Sequence, residues 1–116
     1  MARILLVEDE PLISAITEEW LVELGHAVVG PAADLDSALK LAETAIEAAI
    51  VDLSLGRQSG YPLADVLKAR GVPFVFATGY GQEGLDPAWR GRPTLAKPFA
   101  FETFRKALEG LLSNGG

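Results

Sequence analysis

Five short runs of apolar residues punctuate the chain, and between them the apolar positions recur every three or four residues. The first run is Ile4 to Val7, cut off by Glu8-Asp9-Glu10. The second spans His26 to Gly30, the third Ala48 to Leu53, the fourth Val72 to Ala77 and the fifth only Thr94 to Ala96. Small and branched residues in continuous runs of this length read as strands buried on both faces. The segments between them read as helices. Pro11 suits a first helical turn, where its missing N–H costs nothing. Leu12, Ile13, Ile16, Trp20 and Leu24 follow as an inward stripe, with Gly25 as the C-terminal cap. Asp34 predicts an N-cap for a helix carrying Leu35, Ala38, Leu39, Ala42 and Ile46 on one face. Gly56 to Gly60 is a polar loop, after which Pro62 opens a helix with Leu63, Val66 and Leu67 inward and Gly71 as its stop. From Gly79 to Pro93 glycines and prolines interrupt the pattern and leave room for at most a short fourth helix. The last helix carries Phe101, Phe104, Leu108, Leu111 and Leu112 on one side, and Ser113 to Gly116 are expected to fray.

Strands alternating with helices predict a parallel sheet covered on both faces, a doubly wound α/β domain. Right-handed crossovers leave few topologies, and strand order 2-1-3-4-5 is the common one at this size. With 116 residues, 49% of them hydrophobic, residues 1–116 are expected to form a single domain with one core. No internal repeat or linker divides it. Trp20 and the phenylalanines are expected in the core.

Charge and composition narrow the chemistry. A formal charge of −6 lacks the basic face that nucleic-acid binding requires. The absence of cysteine excludes disulfides and thiolate metal sites. The apolar start is too short for a signal peptide or a membrane span, so a cytoplasmic location without membrane contact is expected. His26, the only histidine, begins a strand and is expected to be structural.

The candidate chemistry lies at the strand ends. Strand one ends at Glu8-Asp9, strand three at Asp52, strand four at Thr78 and strand five at Lys97. In open α/β sheets ligands bind at this carboxyl edge. Order 2-1-3-4-5 makes strands one and three neighbours, so the fold predicts one cluster of three carboxylates, a hydroxyl and an ammonium. Converging carboxylates repel unless a cation or proton intervenes. An oxygen-only donor set with room for water suits Mg²⁺. A metal and a lysine around one carboxylate make an electrostatic clamp for a phosphoryl group, and a carboxylate can be the nucleophile that accepts it. Asp52 is the expected acceptor, with Thr78 hydrogen-bonding one phosphoryl oxygen and Lys97 neutralising another.

Over essentially its whole length the chain resembles a receiver domain of the two-component response regulators, with its flavodoxin-like fold. The matching pieces are Glu8-Asp9, Asp52, Gly60, Thr78 and Lys97-Pro98-Phe99, in order. The resemblance implies phosphorylation of Asp52 by a histidine kinase or a histidine phosphotransfer protein. It implies Mg²⁺ held by Asp9, Asp52 and the backbone carbonyl of Ser54, with Glu8 assisting through water. It also implies a cis Lys97-Pro98 bond, for which the X-Pro penalty is only about 0.5–1 kcal/mol. Such a domain is not a turnover enzyme, although it catalyses its own phosphorylation and dephosphorylation.

Two positions depart from that family's pattern. Receivers usually carry an aromatic switch residue three positions before the lysine, where this chain has Thr94, and often a proline where it has Gly56. The string Phe76-Ala77-Thr78-Gly79-Tyr80-Gly81 resembles instead the "FAT GUY" receivers, largely stand-alone regulators that lack the usual aromatic switch. Tyr80 then lies on a partner surface or covers the sheet. A signal would leave through contact with a downstream protein, as shuttle, phosphate sink or regulator. Among rivals, a metal-dependent phosphohydrolase needs an acid two residues past its nucleophile, where this chain has Ser54. A flavodoxin-like cofactor carrier needs a hydroxyl-rich loop after strand one, where carboxylates stand. A degenerate receiver would act as an interaction module without phosphate, and the intact set of five residues counts against it.

Overall fold

The computed structural model describes residues 1–114. Strands β1 (Arg3–Val7), β2 (Ala27–Ala32) and β3 (Ala48–Asp52) form in the expected places. A two-stranded antiparallel hairpin follows, β4 (Ser54–Leu55) and β5 (Gln58–Ser59), in the stretch read from sequence as a polar loop. The fourth and fifth predicted strands are β6 (Phe74–Thr78) and β7 (Thr94–Ala96). Helices α1 (Pro11–Glu23), α2 (Leu35–Leu41), α3 (Tyr61–Ala69) and α4 (Phe101–Asn114) alternate with them. The five-stranded sheet runs β2-β1-β3-β6-β7, all parallel, which is the predicted order.

Successive side chains of a strand point to opposite faces, and here this splits the core in two. Leu5, Val7, Ala49, Val51, Phe74 and Phe76 meet α2 and α3. Ile4, Leu6, Ala48, Ile50 and Val75 meet α1 and α4. Each fully buried side chain of this size contributes about 1.5–3 kcal/mol, and the central strands bury both faces.

Helix α1 departs from the expected stripe. Its buried residues are Ser14, Thr17 and Leu21, while Leu12 is 73% and Ile16 is 39% exposed. The large residues Ile4, Leu6 and Ile50 already fill this face of the sheet, and the helix turns its smaller residues towards it. Thr17 satisfies its hydroxyl on the Ile13 carbonyl at 2.7 Å. Trp20, half-buried rather than core, packs beside the sheet against Phe99, Phe101 and Phe104. Helix α2 is shorter than its pattern: Asp34 caps it by accepting from the Ser37 amide at 2.7 Å, but Ile46 lies beyond its end. In α3 the third inward position is Ala64, with Val66 half-buried. Helix α4 extends through Ser113 and Asn114, and Gly115 and Gly116, the rest of the stretch expected to fray, lie outside the described residues.

Between β6 and β7 the chain forms two short 3₁₀ turns, Gly81–Gly84 and Pro87–Trp89, in place of a fourth α-helix. Trp89 anchors the second by stacking on Tyr61 and meeting Phe76 edge-on. Gly60 matters to the site because a Cβ there would lie 2.5 Å from the Asp52 carbonyl oxygen and 2.9 Å from Val51 Cγ1. The Gly60→Ala variant is expected to lose about 1–3 kcal/mol of stability in urea unfolding, with β3 displaced at its carboxyl end.

Candidate phosphoacceptor site

The parallel register brings the strand ends together. Val7 pairs with Val51 and Asp52 with Ala77, so Glu8-Asp9 and Thr78 flank Asp52. The Lys97 amide donates to the Thr78 carbonyl at 2.8 Å, carrying the lysine to the same edge. The Lys97-Pro98 bond is cis, as expected, and Gly30-Pro31 is a second cis bond that the sequence did not announce.

Asp52 is 1% exposed. Its Oδ1 accepts from the Ser54 amide at 3.1 Å. Its Oδ2 lies 3.1 Å from Lys97 Nζ, yet off the direction of a hydrogen bond, and is a buried oxygen without a hydrogen-bond partner. Lys97 Nζ is 2.9 Å from Glu8 Oε1, 3.2 Å from Glu8 Oε2 and 3.8 Å from Glu10 Oε1. Asp9 accepts from the Gly56 amide at 2.9 Å. A proline at that position would have no N–H to give, so the departure at Gly56 is itself a contact to the acidic pair.

Burial pushes the Asp52 carboxyl up to about 8, and the neighbouring Glu8 and Asp9 carboxylates add to the rise against the opposing Lys97. Asp9 goes the other way. Burial would raise it, but hydrogen bonding with Asp52 and to the Gly56 amide holds it below the usual carboxylate range. Burial would lower the Lys97 ammonium as well, and Glu8 and Asp52 outweigh it and raise it. The site is short of positive charge. Glu8, Asp9 and Glu10 place carboxylate oxygens within 4.8 Å of one another, and an unbonded Asp52 oxygen beside them is what a hard cation would satisfy. The residues present therefore fit Mg²⁺.

A cavity of about 490 Å³ opens over Asp52, lined among others by Ser54, Thr78, Gly84 and Lys97. Thr78 is buried, and its Oγ1 accepts from the Tyr80 amide at 3.2 Å. The chain belongs to the response regulator receiver domain family. Residues 4–109 match that family. SdrG from Sphingomonas melonis Fr1 is 42% identical with a TM-score of 0.84, each chain covered over 97%. The receiver domain of the sensor histidine kinase PA1611 from Pseudomonas aeruginosa, with magnesium coordinated in its active-site cleft, is 28% identical with a TM-score of 0.85, over 97% of this chain and 98% of that one. The transcriptional regulatory protein PdtaR of Mycobacterium tuberculosis is 33% identical over 112 residues, covering 92% of this chain and 55% of PdtaR. The chain spans about half the length of the curated relatives it matches.

The remaining sequence candidates fall outside the cluster. Tyr80 is 80% exposed at the mouth of the cavity and does not cover the sheet. His26 accepts the Ala2 amide on Nδ1 at 3.1 Å, and burial followed by the nearby N-terminal amino group keeps its imidazole below its ordinary range. Thr94 is half-buried, and its hydroxyl accepts from Gln82 Nε2 at 3.1 Å. Gln82 also bonds the Arg92 carbonyl at 2.6 Å and the Gly91 amide at 2.9 Å. Sequence reading passed over Gln82 because one amide in a glycine-rich stretch carries no pattern. It also passed over Glu10, which the run of three consecutive acids could have flagged. Among the described residues no helix is long and apolar enough to cross a membrane.

Proposed function

We propose that Asp52 accepts a phosphoryl group from a phosphohistidine on a histidine kinase or histidine phosphotransfer protein. One observation carries this reading: a buried carboxylate oxygen without a hydrogen-bond partner lies 3.1 Å from an ammonium, in a residue that lines an open cavity. An Asp52 oxygen attacks phosphorus, the P–N bond to the donor imidazole breaks, and the imidazole leaves with the bond's electron pair and takes up a proton. Lys97 balances charge on the phosphoryl oxygens, and the Thr78 hydroxyl exchanges its bond from the Tyr80 amide for one to the phosphoryl group. Mg²⁺, held by Asp9, Asp52 and the Ser54 carbonyl, would neutralise developing charge on those oxygens. Hydrolysis of the acyl phosphate returns the carboxylate. The domain is a phosphoacceptor that catalyses its own loading and unloading, and a cytoplasmic receiver of the FAT GUY type.

Acetyl phosphate with Mg²⁺ tests this directly. Phosphoryl uptake followed by intact mass is expected in the wild type and absent in Asp52→Ala. Failure of the wild type with both acetyl phosphate and a histidine kinase donor would favour an interaction module that never takes phosphate.

The signal leaves by a protein contact at the segment 79–91, whose anchoring supports a switch without an aromatic at Thr94. Thr78 holds the Tyr80 amide at one end, and Gln82 ties the middle to Thr94 and Gly91. When Thr78 turns to the phosphoryl group, the segment reorders. Beryllofluoride with Mg²⁺ should change amide exchange across 79–91 by roughly tenfold or more, the equivalent of about 1.4 kcal/mol. Unchanged protection there would exclude this route.

A further inference from the structure

The acidic pair does not divide its work evenly. Glu8 is 4% exposed, with Oε2 hydrogen-bonded twice and Oε1 ion-paired. Oε1 lies 2.9 Å from Lys97 Nζ. Oε2 accepts from the Glu10 amide at 3.1 Å and from Lys97 Nζ at 3.2 Å. A cation that keeps several of its waters needs ligand oxygens with free lone pairs, and in this cluster Asp9, bonded on one oxygen to the Gly56 amide, and Asp52, with Oδ2 unpartnered, have them while Glu8 is engaged.

An ammonium has three donors in a fixed tetrahedral spread. Lys97 Nζ donates a hydrogen bond to Glu8 Oε2 and pairs by charge with Glu8 Oε1, and the contact left for Asp52 Oδ2 is an ion pair without hydrogen-bond geometry. We propose that Glu8 is a positioning residue, holding Lys97 beside Asp52 so that the ammonium does not cap the nucleophilic oxygen. This rests on the phosphoacceptor reading above. A carboxylate lone pair committed to an ammonium cannot also be aimed at phosphorus, whereas an ammonium parked alongside stays within reach of the phosphoryl oxygens as they gain charge. Glu8 therefore serves the reaction through Lys97, and Asp9 serves it through the metal.

Glu8→Gln removes the charge while keeping the shape. The Lys97 side-chain NMR resonances should move as the ammonium turns onto Asp52, and phosphoryl uptake from phosphoramidate should slow by about 10–100-fold. The Mg²⁺ Kd, read by titration of amide resonances, should change by less than about threefold, against a loss of about tenfold or more in Asp9→Asn. In a Lys97→Met background, Glu8→Gln should slow uptake no further than about twofold, because its effect runs through the missing ammonium. Glu8→Asp, which keeps a charge but loses reach to Lys97, should be slow as well. A Mg²⁺ Kd weakened about tenfold in Glu8→Gln, or rate losses that multiply in the double variant, would overturn the assignment. A wild type that takes no phosphate would defeat the phosphoacceptor reading alone, since the resonance and Mg²⁺ measurements need no phosphate.

Discussion

Asp52→Asn should unfold at a higher urea concentration than the wild type when no divalent cation is present. Asp52 is 1% exposed, beside Glu8 and Asp9, with one oxygen unbonded. Keeping this carboxyl in the fold, by burying its charge or by taking up a proton to avoid doing so, costs more than the Lys97 contact returns. An asparagine keeps the Oδ1 acceptor for the Ser54 amide and discards the charge. The expected gain is about 1–3 kcal/mol, with complete loss of phosphoryl uptake. Stability gained where function is lost would mark Asp52 as a strained functional group. A variant less stable than the wild type in metal-free buffer would show instead that Lys97 already balances the site.

The second expectation concerns pH and Mg²⁺ together. The Asp52 carboxyl is held at about 8 in the folded chain against 3.8 for an ordinary aspartate. Between those values the folded state binds more protons than the unfolded state, so the free energy of unfolding falls as pH rises through this window. Asp9, held below its ordinary range, acts only at lower pH, where its stabilising contribution disappears as pH falls. Metal-free protein should therefore lose up to about 4 kcal/mol between about pH 5 and about pH 9, offset in part by His26, whose lowered imidazole adds stability as pH rises through the same window. Saturating Mg²⁺ should restore most of it, with little effect at the acid end, where the site already holds a proton. Urea melts with EDTA or Mg²⁺ at both pH values measure all four corners. An Mg²⁺ gain equal at the two ends would remove Asp52 from the metal site.

Much of the fold was legible along the chain. Strands buried on both faces write themselves as unbroken apolar runs, and all five stand within a few residues of their expected bounds. Asp34 as a cap and Gly71, at φ 71°, as a stop were equally readable, since each is a local event. The stripe of α1 was not. Leu12 and Ile16 have helical spacing, but which side of a helix meets the sheet depends on how full the sheet already is, and Ile4, Leu6 and Ile50 fill it. The hairpin of β4 and β5 and the two 3₁₀ turns escaped for a related reason: partners distant in sequence hold them, Asp9 on the Gly56 amide of the hairpin and Tyr61 on the Asp86 amide between the turns.

The same division holds at the site. The residue types at the strand ends, together with the right-handed crossover rule, determined that Glu8, Asp9, Asp52, Thr78 and Lys97 share one edge. That follows from topology, and topology follows from the order of apolar runs. Which carboxylate meets which donor was decided only by the folded chain. Glu8 faces Lys97, Asp9 faces the Gly56 amide, and Asp52 keeps one oxygen free. Such choices turn on differences of about an ångström and on the direction of a hydrogen bond, which residue spacing does not encode.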